Sequence, residues 1–371
     1  MKHMKLLFTL MLMLIASPKL AVKASSTLPM QGSFVKATDP NISYMGRTCV
    51  KYTDIVSFNY PGTTILARFT GTSLKMVCRP KTGYFMASVD GCEPFKVAFT
   101  GEKDSVVTIA CALQGGEHDA RIMYVSEGVF HRPEFRGFLL DKGCRLTKPA
   151  PLPSRKIEFI GNSITCGYGI ESVWQKDRYE EATANHALTY ANIVSDSLNA
   201  QHTCIARSGI GVYRNYNGPR NGDKKTMPWH YTQTLFDHPE YGTWDCSLYQ
   251  PQLICINLGT NDLSTKNYSI NMYESAYRKF VSTLRGYYPD AKIVLLTGPM
   301  LGEKENELQK DVLNRIAREF NDNGDRQVYR FDFSRQTGEL GYGASWHPSF
   351  RQHQRMAEEL LPFFRELMDW R

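Results

Sequence analysis

The side chains best suited to chemistry lie in the second half of the chain, in short polar segments that each interrupt an apolar run. The first, Ile157-Glu-Phe-Ile-Gly-Asn-Ser163, ends a strand-like run on a serine and is followed by small residues and turn formers as far as Gly169. Such a serine either caps a short helix or is a nucleophile at the carboxyl end of a parallel strand, where α/β sheets bind ligands. The later segments favour the nucleophile. Arg207-Ser-Gly-Ile-Gly-Val212 offers backbone N–H groups where glycine permits close approach. Asn257-Leu-Gly-Thr-Asn-Asp262 puts an amide donor, Asn261, at a sheet edge, and Ser345-Trp-His-Pro-Ser349 places His347 just before the last helical stretch. Histidine, ionising near neutrality, can take and return a proton at working pH. Hydroxyl, base and oxyanion donors are the three requirements of acyl transfer through serine.

The elements that must position these groups follow from hydrophobic periodicity. From Ile157 onward, apolar runs at Ile157–Ile160, Thr203–Ala206, Leu253–Leu258, Ile293–Thr297 and Val328–Phe333 alternate with helical stretches. The helices are expected near Ala187–Leu198, Met272–Tyr287, Glu305–Phe320 and Gln352–Met368, the last with Met356, Leu360, Phe364 and Leu367 on one face. That alternation predicts a parallel sheet covered on both sides. Between about residues 60 and 147 the period is two instead: Ile65, Ala67 and Phe69 alternate with Leu66, Arg68 and Thr70, and Leu74, Met76 and Cys78 alternate again. Phe85, Ala87 and Val89 lead into Asp90-Gly91, a two-residue hairpin signal. Two further runs, Ser105–Leu113 and Asp119–Ser126, flank Gly115-Gly116. This half is expected to be a β-sandwich of jelly-roll type. Lys148-Pro-Ala-Pro-Leu-Pro-Ser154 reads as a stiff connector. The expected organisation is a β-domain over 25–147, a linker over 148–154 and a catalytic domain over 155–371. The long connection from Arg214 to Asp245 is of the kind that usually carries function.

Residues 1–24 read as a cleavable secretory signal: Lys2 and Lys5 precede the apolar run Leu6 to Ala16, and Val22-Lys23-Ala24 offers a small-residue cleavage site. The run falls well short of the roughly 20 residues a membrane-spanning helix needs, so no membrane span is expected. The expected location is secreted or periplasmic. Of the formal charge of +7, Lys2, Lys5, Lys19 and Lys23 lie in the leader, leaving a nearly balanced remainder with no footprint for nucleic acid. A neutral substrate fits better than a polyanion. The 9 cysteines include no Cys-x-x-Cys pair, so neither a metal site nor a cofactor is expected. Several alternate with strand residues as small core hydrophobes, and Cys166, near the serine, is read the same way.

The four polar segments, in order, resemble the blocks of the SGNH (GDSL-like) hydrolases. With the preceding β-domain and the wording "GYG", "SGIGVYRN" and "WHPS", the closer resemblance is to carbohydrate esterase family 2, and it covers nearly the whole chain after the leader. The resemblance implies a jelly-roll domain, a flavodoxin-like catalytic sheet and deacetylation of plant cell-wall polysaccharides. Ser163 would be the nucleophile and His347 the base. The oxyanion hole would comprise the Ser163 N–H, the Asn261 amide and the N–H of either Gly209 or Gly211, with Gly211 favoured because the family's block usually ends there. The wider pattern is broken twice: Asn162 replaces an aspartate before the serine, and Ala344 stands where a carboxylate normally orients the histidine. Family 2 implies a Ser-His dyad instead, its histidine oriented by a main-chain carbonyl.

Tyr168, Tyr213 and Trp346 neighbour the motifs and are candidates for stacking on sugar rings; Trp229 is balanced between site and core. His118, His131 and His202 read as structural. The expected partner is an acetylated oligo- or polysaccharide. The rival readings are a carbohydrate-binding protein with an inactive hydrolase half, a peptidoglycan O-acetylesterase, and a lipid esterase, which the lack of an amphipathic lid-like segment opposes.

Overall fold

The computed structural model describes residues 32–51, 54–103, 105–128 and 132–371, with the backbone of the short strand Val22–Lys23. The expected signal sequence otherwise lies outside the described residues, as does His131.

The N-terminal region is built from two sheets, antiparallel except where Val22–Lys23 runs parallel beside Phe95–Phe99. One sheet runs Phe95–Phe99, Gly83–Val89, Gly116–Tyr124, Thr64–Gly71, with Ile42–Met45 and Leu146–Thr147 sharing the outer edge of Thr64–Gly71. The other runs Ser33–Lys36, Glu134–Leu140, Leu74–Cys78, Ser105–Ala110. Strict alternation along Gly83–Val89 sends Phe85 and Ala87 inward, where they meet Phe58, Phe69, Tyr124 and Phe138 in one core. At Asp90-Gly91 both residues have positive φ (52° and 70°), and the Cys92 N–H closes the turn on the Val89 carbonyl at 3.0 Å. Strand pairing resumes only at Ala87 opposite Phe95. Ser105–Ala110 and Gly116–Tyr124 belong to opposite sheets, so the Gly115-Gly116 connection crosses the sandwich.

The C-terminal region has a five-stranded parallel sheet: β1 Arg155–Gly161, β2 Ala200–Ala206, β3 Leu253–Asn257, β4 Lys292–Thr297 and β5 Val328–Asp332, in the order β2-β1-β3-β4-β5. This is the flavodoxin-like order, whose switch point lies between β1 and β3. The α-helices α1 to α7 are, in chain order, Ser163–Cys166, Tyr190–Ser197, Met227–Tyr231, Thr260–Leu263, Ile270–Tyr287, Glu303–Asp322 and Phe350–Met368. Ile254, Ile256, Ile293 and Leu295 face α5 and α6. Ile157, Phe159, Cys255 and Leu296 face α2 (Tyr190–Ser197) and α7 (Phe350–Met368). Burial on both faces is why β3 and β4 read as nearly unbroken apolar runs. Ser269 and Ser349 start α5 and α7 by accepting the N–H of Met272 and Gln352. The helical stretch expected from Ala187 begins at Tyr190, because Thr189 caps α2 and the preceding residues His186–Leu188 form a separate 3-10 turn.

The segment from Arg214 to Asp245 is largely a seam between the two regions. Asn59 exchanges hydrogen bonds with the Phe236 backbone (2.8 and 2.9 Å). Arg47 enters fully buried from the N-terminal side, donates to the Gln233 carbonyl at 3.0 Å and lies over the rings of Tyr231 (4.7 Å) and Trp244 (5.2 Å). Its counter-charge is Glu158 on β1, 3.8 Å away and also buried, whose carboxylate accepts hydrogen bonds from Thr203 and Tyr231. Removing one partner of a buried pair strands the other charge, at about 3–5 kcal/mol. Arg47→Ala is therefore expected to lower the urea midpoint by an amount equivalent to about 3–5 kcal/mol. A shift under about 1 kcal/mol, the scale of exposed pairs, would show that the cluster contributes little.

Candidate active site

β1 delivers its last residue, Gly161, to the carboxyl edge of the sheet beside the switch point. Asn162 then caps a one-turn helix, Ser163–Cys166, accepting the Ile164 N–H at 3.0 Å. An aspartate is therefore not needed for this turn; the amide oxygen serves as acceptor. The helix ends at once on Gly167 in the left-handed conformation (φ 84°). Ser163 is buried to 6% exposure, with its Oγ 2.9 Å from His347 Nε2.

His347 Nδ1 lies 3.0 Å from the Ala344 carbonyl oxygen. A carbonyl can only accept, so the proton sits on Nδ1 and Nε2 keeps its lone pair for the serine hydroxyl. Among the described residues no carboxylate is paired with this ring. Burial lowers the His347 pKa to about 4, against the opposing pull of backbone hydrogen bonds from Ala344 and Ser345. Tyr168 stacks on the imidazole (centroids 4.1 Å, 26°), and Tyr179 lies against Tyr168 at 4.5 Å.

The loop carrying Ala344 is bent sharply. Ser345 and Trp346 both have left-handed φ, 51° and 58°, which costs non-glycine residues free energy. Neighbours hold it: Ser345 N–H reaches the Asp177 carbonyl and Trp346 N–H the Gln175 carbonyl, both at 3.1 Å, and Gln336 donates to the Trp346 carbonyl at 2.8 Å. Gly169 packs directly beneath; a Cβ there would lie 2.3 Å from the Ala344 Cβ. The last glycine of "GYG" thus lets the Ser163 turn and the His347 loop touch.

Ser163, Tyr168, Gly209, Tyr216, Asn261 and His347 border one cavity of about 530 Å³. Asn261 donates one amide hydrogen to the Ile210 carbonyl at 2.7 Å, which orients the side chain and leaves its second hydrogen available. Of the two glycines left open by the sequence, it is Gly209 that borders the cavity, with φ 78°. Gly211 does not; its N–H donates to Asn215 at 3.2 Å, and a Cβ there would meet the Arg214 carbonyl at 1.9 Å, so glycine is required for packing. Tyr213 is also displaced from the expected place: it is buried and accepts the Ser269 N–H at 2.8 Å, outside this cavity. Trp346 stands half-exposed next to His347, and Trp229 lies under the Lys225 ammonium, away from the cavity. Cys166 is fully buried, where burial raises its thiol pKa. His118 is held by Asp90 and His202 by His186, both away from the nucleophile.

Three contributors were not legible beforehand. Tyr216 borders the cavity and is 57% exposed. Asp262, fully buried, gathers the N–H groups of Val212, Tyr213 and Arg214 and so shapes the loop beside Asn261; its position next to Asn261 was the available signal. Glu127, from the N-terminal region, had none. Among the described residues no group of three or more His, Cys, Asp or Glu side chains could hold a metal ion, and no helix is long and apolar enough to cross a membrane.

Residues 44–151 match the family model described as carbohydrate esterase 2 N-terminal, and residues 157–360 that of GDSL-like lipase/acylhydrolase. Cellulase/esterase CelE of Acetivibrio thermocellus is 35% identical over 339 residues, which is 90% of this chain but 40% of that protein, so this chain spans less than half of that relative. An acetylxylan esterase / glucomannan deacetylase of Cellvibrio japonicus is 29% identical over 99% of this chain and 100% of its own length. A family two carbohydrate esterase from Clostridium thermocellum, solved in complex with cellohexaose, superposes with a TM-score of 0.82 at 33% identity, covering 89% of this chain and all of that one. With both regions matched in order and the fold shared throughout, the chain belongs to carbohydrate esterase family 2.

Proposed function

We propose that the protein is an exported O-deacetylase of acetylated oligo- or polysaccharides, working through a Ser163–His347 dyad. The observation that carries this is the 2.9 Å contact of His347 Nε2 with Ser163 Oγ while Nδ1 is held by a carbonyl. His347 takes the hydroxyl proton as Ser163 attacks the acetyl carbonyl. The oxyanion is received by the N–H groups of Ser163 and Gly209 and the free hydrogen of Asn261. Collapse of the tetrahedral intermediate passes the proton from His347 to the departing sugar oxygen and leaves an acetyl-enzyme. Water then repeats the sequence. Tyr168 covers one face of the imidazole, so its role is to position the base more than to stack on sugar. Half-exposed Trp346 and Tyr216 suit the C–H faces of sugar rings. The names of the relatives support acetylated xylan- or mannan-type saccharides as substrates, and the leader-like residues 1–24 support secretion to the periplasm or beyond. The division at 25–147, 148–154 and 155–371 is part of the same proposal.

Ser163→Ala should reduce acetyl-ester turnover by several orders of magnitude. Retention of even about a tenth of the activity would remove the assignment, since the loss of a serine nucleophile costs far more. The pH profile is a second check. A base whose pKa is lowered keeps its neutral, proton-accepting form at lower pH. Thus kcat/KM should hold through the ordinary histidine range and fall only as pH approaches about 4. Half-loss near pH 6.5, the unperturbed histidine value, would contradict a buried base. Substrate choice can be read by position-resolved NMR on acetylated xylo- and manno-oligosaccharides. Release is expected to favour one hydroxyl; equal release at every position of every sugar would argue against a shaped sugar site.

A further inference from the structure

The N-terminal region sends a carboxylate beneath the loop that borders the cavity. Glu127 follows the strand Gly116–Tyr124, in a turn where Val125 N–H bonds to the Tyr84 carbonyl and Gly128 N–H to the Asn59 carbonyl. Its side chain crosses to the catalytic half and takes both hydrogens of Ser208: the backbone N–H at 2.7 Å on one oxygen and the hydroxyl on the other. Ser208 is the residue immediately before Gly209. Burial pushes the Glu127 pKa up, opposed first by the Ser208 hydrogen bonds and then by Cys166, on the one-turn helix that starts with Ser163, and by the positive charge of Arg207. Glu127 is only 8% exposed.

A carboxylate this deep is costly unless its lone pairs are filled, and here both oxygens accept from Ser208, the residue before one of the N–H groups that would hold the oxyanion. The peptide linking Ser208 to Gly209 carries the Gly209 N–H; clamping Ser208 at both N and Oγ anchors its N, Cα and Cβ and leaves only ψ of Ser208 to set the plane of that peptide. Gly209 itself has no Cβ, a positive φ and open space around the Cβ position, so nothing in its own side chain fixes its direction.

We infer that Glu127 is a positioning residue for the esterase reaction: the β-domain carboxylate aligns the Gly209 N–H with the Ser163 turn, completing the oxyanion hole from outside the catalytic domain. The inference rests on the proposed deacetylase reading, and it gives the N-terminal region a part in the chemistry. Losing one oxyanion donor costs about 10²–10³ in kcat, and a misaligned donor loses part of that.

The test uses the full chain, Glu127→Ala, →Asp and →Gln, an aryl acetate, phenylboronic acid and an unacetylated xylo-oligosaccharide. The boronate forms a tetrahedral adduct on the serine and samples the oxyanion hole, whereas the oligosaccharide samples only the sugar surface. Glu127→Ala is expected to lower kcat by about 10- to 100-fold and weaken boronate inhibition in parallel, with KM and oligosaccharide affinity unchanged. Glu127→Asp, one methylene short of Ser208, should behave like the Ala variant; it is read in its place if the latter does not fold. Glu127→Gln, which keeps the length and one acceptor oxygen, should recover most of the loss. Wild-type kcat and boronate affinity in the Ala or Asp variant would overturn the inference. So would a fall in melting temperature with kcat and oligosaccharide binding declining together, the mark of a residue that only holds the two regions in contact. A wild-type protein inert on every acetyl ester would instead overturn the deacetylase reading, and this inference with it.

Discussion

The hydrogen bond from His347 Nδ1–H to the Ala344 carbonyl is the constraint around which the site is arranged. It fixes the tautomer, because a carbonyl can only accept. A neutral acceptor gives an imidazolium less support than a carboxylate, so in the proposed reaction the oxyanion donors would carry more of the transition-state stabilisation. The geometry also has a backbone consequence. For a carbonyl to meet the ring of a residue three positions later, the chain must fold back on itself, and it does so through two successive left-handed residues, Ser345 and Trp346. Strain of this kind persists only where the surroundings over-determine it. The surroundings here are the carbonyls of Gln175 and Asp177, the Gln336 amide and the bare backbone of Gly169.

The same logic extends across the boundary between the two regions. Within the C-terminal region Asp262 already holds the backbone of Val212, Tyr213 and Arg214. Further directional contacts come from the N-terminal side: Arg47 onto Glu158, Asn59 onto the Phe236 backbone, Glu127 onto Ser208, and Lys96 onto Glu171 and the Ala182 carbonyl. All but the exposed Glu171 are buried or half-buried partners, and each contact joins positions far apart in the chain. Buried ion pairs are weak sources of net stability but strong sources of specificity of arrangement in some systems. Of these contacts, that of Glu127 ends on a residue that borders the cavity, Ser208.

Much of the fold was legible because burial leaves a period in the sequence. Gly83–Val89 alternates because one face meets the sandwich core, and Leu253–Asn257 does not because both faces are covered. The starts of α5 and α7 shift from expectation by two residues, to the position after a capping serine. The start of α2 moved further, since Thr189 interrupts an otherwise continuous apolar pattern. At the site, Ser163, Asn261 and His347 were visible as polar residues at the ends of apolar strands or before a helix, and the fold gathers them at one cavity. Gly211 and Tyr213 were not separable in sequence from true lining residues. They share a segment with Gly209, and only the course of that loop, held by Asp262, decides which of its groups face inward.

The sequence by itself determined the two periodicities, the order of strands and helices, the residue types available for acyl transfer and the absence of a carboxylate at position 344. These are local properties, written in neighbours a few positions apart. The tertiary structure decided which glycine borders the cavity, why Gly169 must lack a side chain, and that Glu127 lies beneath Ser208. Each depends on the approach of segments separated by many residues, set by packing and by the need of every buried polar group for a partner. No pattern along the chain records such an approach.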